Sequence, residues 1–193
     1  MATPEDVLSF WLDEVGPEGW YKGGEELDEA CRDRFAETWD RAAEGGLSLW
    51  LTYPAGTLAY TILADQLPRN MWRGTAQSFA MDAAALAAAK TAISRGWDLR
   101  IDPPARQFFY LPLMHSENLT DQDRAVRLFH TRMPDAGGSN LTHARAHRAI
   151  IRDFGRFPYR NDALDRATTA AEAQFLSGGG YGAALRQLQA ADA

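Results

Sequence analysis

The chain of 193 residues has a net charge of −6, with 46% hydrophobic and 24% charged residues. This composition is typical of a soluble globular protein, and the lack of an apolar run of about 18 residues argues against a membrane span. The acidic balance, with scattered arginines instead of a contiguous basic face, argues against nonspecific nucleic-acid binding.

Helical periodicity and helix start and stop signals recur along the whole chain. Thr3 followed by Pro4 is typical of a helix start, and Thr169 with Glu172 forms a capping box. The predicted helices run over residues 4–15, 25–44, 55–67, 75–94, 103–113, 121–132, 141–154 and 169–176. Alternating apolar and polar runs are missing, so the sequence predicts an all-α fold of about eight antiparallel helices.

The organisation and compartment follow from a few local features. We expect residues 1–182 to form one domain and residues 183–193 a frayed tail. The N-terminus has acidic residues where a secretory signal has positive charge, which favours a cytoplasmic protein. The single cysteine, Cys31, excludes an internal disulfide and a cysteine metal cage.

A first polar stretch follows the third predicted helix. Pro68 lacks an N–H and clashes with the carbonyl of Ala64, so the helix should end or kink there. The side chains after the break can pair with nearby carboxylates and helix-end carbonyls, or point into a ligand pocket. The candidate ligand-binding residues of this stretch are Asp65, Gln66, Arg69, Asn70 and Arg73.

A second stretch, residues 150–161, repeats this pattern of a helix, a proline and an Arg-Asn pair. Arg156 and Arg160 lie among aromatic residues, an arrangement that suits a planar guanidinium gripping a carboxylate or phosphate. We add Arg156, Arg160 and Asn161 to the candidate ligand-binding residues, and expect both stretches to meet a third one, residues 110–117.

The third stretch ends in His115-Ser116-Glu117, after a hydrophobic helix and a proline. These side chains can bind a ligand, cap helix ends, or act in catalysis with His115 and Glu117 handling protons. His147 is a further ligand-binding candidate. His143 and His147 have the spacing of two metal ligands on one helix face, but nearby arginines would repel a cation, so we predict neither a metal nor a cofactor.

Three motifs, LADQLPRNMWRG, FFYLPLMHSENLTDQD and FGRFPYRN, together with VLSFW near the N-terminus, resemble the bacterial family of unknown function DUF924 over about residues 5–182. The resemblance implies a compact all-helical domain grouped with tetratricopeptide-like repeats, and it brings no established reaction, substrate or cofactor. The turn Leu164-Asp165-Arg166 departs from the family pattern, so the resemblance assigns it no role. The matching positions are Asp65-Gln66, Pro68-Arg69-Asn70, Arg73, Tyr110, Pro112, His115-Ser116-Glu117, Gln122, His147, Gly155-Arg156-Phe157-Pro158 and Arg160-Asn161.

Three functions remain open at the level of sequence. The first is a domain that binds a small anionic ligand or a carboxylate-bearing peptide in an arginine-lined pocket. The second is a hydrolytic or acid–base enzyme that uses His115 and Glu117. The third is a structural latch of polar side chains, with function in protein–protein contacts. The sequence predicts no oligomeric state.

Overall fold

The computed structural model describes residues 1–191, and these contain helices and turns but no β-strand. The predicted all-α fold is therefore confirmed. The α-helices are α1 (Pro4–Leu8), α2 (Gly16–Gly19), α3 (Glu25–Ala43), α4 (Pro54–Thr61), α5 (Leu67–Met71), α6 (Asp82–Ser94), α7 (Leu111–Met114), α8 (Leu119–Arg132), α9 (Gly138–Phe154), α10 (Ala170–Ser177) and α11 (Gly180–Ala191). The 3₁₀-helical segments are Ser48–Thr52, Ala76–Phe79, Asp98–Arg100, Ala105–Phe109 and Pro158–Arg160, and the π-helical segments are Ser9–Val15 and Ile62–Gln66.

The chain forms two compact units, an N-terminal unit (Met1–Pro112) and a C-terminal unit that begins at Leu113. None of the helices within residues 1–191 is both long and apolar enough to cross a membrane. The tetratricopeptide-like arrangement stays a prediction with which this helix order is compatible.

An aromatic core organises the N-terminal unit. Trp11, fully buried, and Trp20 both meet the ring of Phe108, at centroid distances of 6.3 and 4.9 Å. Phe10 and Phe35 pack 5.1 Å apart and join the first helix to α3. The N-cap is as predicted, because the side chain of Thr3 accepts a hydrogen bond from the N–H of Asp6 in a capping box.

The predicted helix end at Pro68 is wrong. The chain stays helical to Met71, because α4 widens into the π-helical segment Ile62–Gln66 before α5 begins. The N–H of Leu67 donates to the carbonyl of Ile62, five residues back. Pro68 then falls in the first turn of α5, where its missing N–H is tolerated.

The predicted helix 75–94 also starts later than expected, at Asp82. Residues 76–79 form a 3₁₀ turn, and Thr75 is extended. The hydroxyl of Ser78 donates to the carbonyl of Thr75 at 2.7 Å. Such local bonds from short polar side chains compete with the regular helix, which explains the delay.

In the C-terminal unit, α8 packs against α9, and α11 packs against both α9 and α10. Asn118 caps α8 and its side chain accepts from two backbone N–H groups, so this helix begins at Leu119, two residues before the predicted start at residue 121. The end of α9 at Gly155, with φ +71°, is as predicted. Residues 183–191, expected to be a frayed tail, lie in α11, while residues 192 and 193 of that tail lie outside the described residues.

Candidate functional site

In the N-terminal unit, Arg69 bridges two carboxylates. Its terminal nitrogens lie 3.3 Å from the carboxylate of Asp65 and 3.0 and 3.1 Å from the two oxygens of Asp82. Arg69 also donates to the backbone carbonyl of Asp65. Asp65 is 1% exposed, and its other oxygen accepts a 2.5 Å hydrogen bond from the amide of Gln66. This part of the first polar stretch is an internal network that joins α5 to α6.

Arg73 is also bound within the N-terminal unit. Its Nε and one terminal nitrogen donate to the two oxygens of Asp28 at 3.0 and 2.8 Å, and the side-chain oxygen of Asn70 accepts at 3.0 Å. The bond to Asp28 raises the pKa of Arg73 despite partial desolvation. Every candidate residue of the first stretch is therefore engaged by a neighbour in the same unit.

In the C-terminal unit, Glu117 joins the second and third polar stretches. Arg166 donates to both oxygens of Glu117, at 2.7 and 3.0 Å, and the backbone N–H of Phe157 donates to one of them at 2.8 Å. Arg166 also donates to the carbonyl of Phe157 at 3.1 Å. The loop at 115–117 is thereby fixed to the loop at 156–166, and the expected meeting of these two stretches is present.

The contacts of Glu117 also determine its protonation. Burial alone would raise the pKa of this carboxyl, but the hydrogen bonds from Arg166 and Phe157 and the positive charge of Arg166 and Arg160 outweigh burial and lower it. A carboxylate with a lowered pKa and two bound oxygens is a poor proton acceptor. The geometry therefore does not favour Glu117 as a general base.

Ser116 and Gln122 hold the turn that carries His115. The hydroxyl of Ser116 donates to Asp121 at 3.0 Å and accepts from the N–H of Asn118 at 3.2 Å. The amide of Gln122 donates to two carbonyls of the turn, at 2.6 and 2.7 Å. The hydroxyl of Ser116 is engaged as donor and acceptor within its own turn, so this arrangement favours a structural role over that of a nucleophile.

His147 is the centre of a cluster of rings on α9, α11 and the adjacent loops. Its ring centroid lies 6.2 Å from that of His115, 5.3 Å from Phe157 and 4.8 Å from Tyr181. The hydroxyl of Tyr181 is hydrogen-bonded to Nδ1 of His143. These five residues are called the histidine–aromatic cluster below.

The tautomer and charge of His147 follow from its contacts. Nδ1 lies 2.9 Å from the carbonyl oxygen of His143, and a carbonyl only accepts, so Nδ1 carries the proton and Nε2 has the lone pair. Burial lowers the pKa of His147 to about 3, and electrostatic interactions with His115 and Arg160 add to this effect. His147 is therefore neutral at physiological pH.

Arg160 lies against this cluster. Its side chain is 7% exposed, and its guanidinium carbon is 4.6 Å from the centroid of the Phe157 ring. Tyr159 stacks on Phe157 with a centroid distance of 5.3 Å. Asn161 is fully buried, and its amide donates to Thr168 at 3.3 Å while its Oδ1 has no hydrogen-bond partner among residues 1–191. The predicted setting of an arginine among aromatics is thus present at Arg160.

Arg156 has a different role. It donates to both oxygens of Glu172, at 2.6 and 2.9 Å, and to the carbonyl of Ala167 at 2.7 Å. Glu172 also accepts the N–H of Thr169 in the predicted capping box of α10, and the bond from Arg156 holds its pKa far below the ordinary value. Arg156 closes the loop between α9 and α10.

The sequence missed two residues of this region. Arg166 lies in the turn that departs from the family pattern, and Tyr181 lies next to the expected tail, so neither was a candidate. Arg166 is 49 residues from its partner Glu117, and Tyr181 is 38 residues from His143. No local spacing rule predicts such pairings. For Tyr181, an aromatic residue on the inner face of a C-terminal helix could have predicted that its ring packs against neighbouring helices.

The comparisons with known proteins agree with the motifs. Residues 7–180 match the family model DUF924, described as a bacterial protein of unknown function. The chain belongs to the DUF924 family.

One solved structure resembles this DUF924 protein closely. It is that of the protein of unknown function ATU0120 from Agrobacterium tumefaciens, which is 40% identical. The similarity covers 90% of this chain and 96% of that one, with a TM-score of 0.84. A search of curated proteins gave no match.

Proposed function

We propose that this DUF924 protein is a helical binding domain whose C-terminal unit receives an anionic group, a carboxylate or a phosphate, beside Arg160, His115 and His147. The observation that carries the proposal is the stacking of the buried Arg160 on Phe157 next to these two imidazoles. A small anion and the carboxylate of a peptide share this chemistry.

The charge balance of the region supports an anion. Glu117 lies where the loop at 115–117 meets the loop at 156–166, and its negative charge is neutralised by Arg166, which donates to both its oxygens. Burial is the main cause of the lowered pKa of His147, and the positive charge of Arg160, which adds to that lowering, favours a bound negative charge. A bound anion should therefore raise the pKa of His147, which gives the proposal a direct observable.

The shape of each group fits this role. A guanidinium held over an aromatic ring, as Arg160 is over Phe157, has planar N–H donors that match the oxygens of a carboxylate or phosphate. His147 carries a lone pair on Nε2, which suits a hydroxyl or N–H of the ligand next to its anionic group.

Three other arginines of the motifs have the contacts expected for the third alternative, a structural latch of polar side chains. Arg69, Arg73 and Arg156 each bind a carboxylate of their own unit through more than one contact. We assign these three to holding the fold, and place the proposed ligand contacts around Arg160 because of its position over Phe157 beside the two imidazoles. Glu117 as a proton acceptor has less support than anion binding, because Arg166 and Phe157 engage both its oxygens.

The test is a titration of the protein with inorganic phosphate and with succinate at constant ionic strength, followed by the NMR signals of the histidine rings. We expect the His115 and His147 signals to shift with saturation. Arg160→Met and His115→Ala should weaken binding by about tenfold or more, the loss expected for a charge-assisted hydrogen bond. Arg152→Met, which removes the same charge from an exposed position on α9, should bind like the parent.

Two outcomes would contradict the proposal. The parent would show no saturable shift with either anion, or the Arg152 and Arg160 variants would bind equally well. Arg160→Lys keeps the charge without the planar fork, so it provides a folded comparison if Arg160→Met loses its structure.

A further inference from the structure

A groove of about 300 Å³ lies on the surface of the N-terminal unit, between α4 and α6. Its volume is at the lower end of the range for small-molecule sites. Its lining residues are all uncharged: aliphatic and aromatic side chains, alanines and two threonines. The groove shares no residue with the proposed anion site, and a charged ligand has no partner in its lining.

The sequence explains why space is present here. Ala84, Ala87 and Ala88 of α6 line the groove, and the spacing of three and four residues places them on one helix face. Methyl groups on this face leave room that larger side chains would fill. Leu51 and Trp97 form apolar walls.

Tyr60 supplies the polar group of the groove. Its side chain lines the groove and is 7% exposed, and its hydroxyl makes no hydrogen bond within residues 1–191. The two threonines differ, because Thr57 donates to the carbonyl of Tyr53 at 2.9 Å and Thr91 to that of Ala87 at 2.9 Å. Burial raises the pKa of Tyr60, so its hydroxyl keeps its proton and is a donor.

The hydroxyl of Tyr60 reaches the surface of the groove instead of being sealed in the core, so it can donate to a molecule that binds there. We propose that the groove binds a small, uncharged and mostly apolar molecule with one hydrogen-bond acceptor, such as an aromatic ketone, which accepts from Tyr60. The acceptor of the ligand takes the place of water at this hydroxyl, and its ring packs against Trp97 and the alanines of α6.

The test uses three probes of similar size: acetophenone, which is uncharged and has an acceptor; ethylbenzene, which has no acceptor; and benzoate, which is charged. Binding is measured by ligand-observed NMR and by the indole signal of Trp97. We expect acetophenone to bind about three- to tenfold more tightly than ethylbenzene, the gain of one neutral hydrogen bond, and benzoate to bind least. Tyr60→Phe should reduce the affinity for acetophenone to that for ethylbenzene and leave ethylbenzene binding unchanged.

Two alanines of α6 provide a matched pair of variants. Ala87 and Ala83 are both exposed, but only Ala87 lines the groove. Ala87→Leu should fill the groove and abolish binding of acetophenone and ethylbenzene, whereas Ala83→Leu should bind like the parent. The proposal is overturned if no probe binds the parent, if Tyr60→Phe keeps the preference for acetophenone, or if the two alanine variants behave alike.

Discussion

The ion pair between Glu117 and Arg166 should make a measurable contribution to stability. Arg166 donates to both carboxylate oxygens of Glu117, at 2.7 and 3.0 Å. The side chain of Glu117 is 29% exposed and that of Arg166 is 22% exposed. Arg166→Met leaves the carboxylate of Glu117 with the N–H of Phe157 alone. Glu117→Gln removes the charge and keeps the shape of the side chain.

The exposure of the pair sets the size of the effect. Exposed pairs contribute about 0–1 kcal/mol, and removal of one partner of a fully buried pair costs about 3–5 kcal/mol. For this partly exposed, two-pronged pair we expect a coupling free energy of about 2 kcal/mol between Glu117→Gln and Arg166→Met. In a chain of this size a change of about 2 kcal/mol in the free energy of unfolding corresponds to about 4–8 °C in Tm.

The assay is a double-mutant cycle in urea, followed by far-UV circular dichroism at neutral pH. The control is the ion pair of Arg148 and Asp123 in the same unit. A terminal nitrogen of Arg148 lies 3.4 Å from a carboxylate oxygen of Asp123, and the side chain of Asp123 is 60% exposed. Their coupling should be about 0.5 kcal/mol or less. The reasoning is refuted if the Glu117–Arg166 coupling is no larger than that of the control pair.

The same pair predicts a dependence on pH. The pKa of Glu117 is lowered in the folded protein from the ordinary value of 4.5, so the folded state binds fewer protons here than the unfolded chain. Its stabilising contribution is complete above that ordinary value and is lost as pH falls through the lowered pKa. Glu117→Gln should flatten this part of the stability profile.

Two further predictions concern buried polar groups. The pKa of His147 falls from 6.5 to about 3 on folding, so between these values the unfolded chain binds the extra proton and stability falls as pH falls. This group should destabilise the protein by about 2 kcal/mol at pH 5 relative to pH 7, and urea unfolding at both values should show a smaller difference for His147→Asn. Arg69→Met removes one ion pair of the buried Asp65 and should cost about 3–5 kcal/mol, whereas Arg73→Met at a half-exposed pair should cost about 1 kcal/mol. Equal Tm losses in these two arginine variants would contradict the assignment of Arg69 to a buried network.

Three helix ends that are set by a local cap were predicted from the sequence. The N-cap at Thr3, the capping box at Thr169 and the end of α9 at Gly155 depend on residues within one helical turn, and all three are present. The end of the helix at Pro68 was mispredicted because a helix can accommodate a proline without ending. The π-helical segment before it changes the hydrogen-bond register without leaving the helix.

The sequence did not predict which carboxylate each arginine binds, for a different reason. An arginine fork accepts any carboxylate that reaches it, so Arg156 and Arg166 have many possible partners in a chain with 26 acidic residues. Tertiary structure selects Glu172 for the first and Glu117 for the second. The motifs include Arg156 but not Arg166, and the fold determines which carboxylate each of these two arginines holds.

The distribution of two residue types allows the two proposed sites to be tested in one sample. All six tryptophans belong to the N-terminal unit, and all four histidines belong to the C-terminal unit. An anion that binds beside Arg160 should therefore shift histidine ring signals, and a ketone that binds to Tyr60 should shift the indole signal of Trp97. If acetophenone shifted the histidines and left Trp97 unchanged, the groove proposal would be wrong and the anion site would be untouched by that result. If phosphate shifted only tryptophan signals, the anion would bind elsewhere, and the assignment of Arg160 would be wrong while the groove retained its own test.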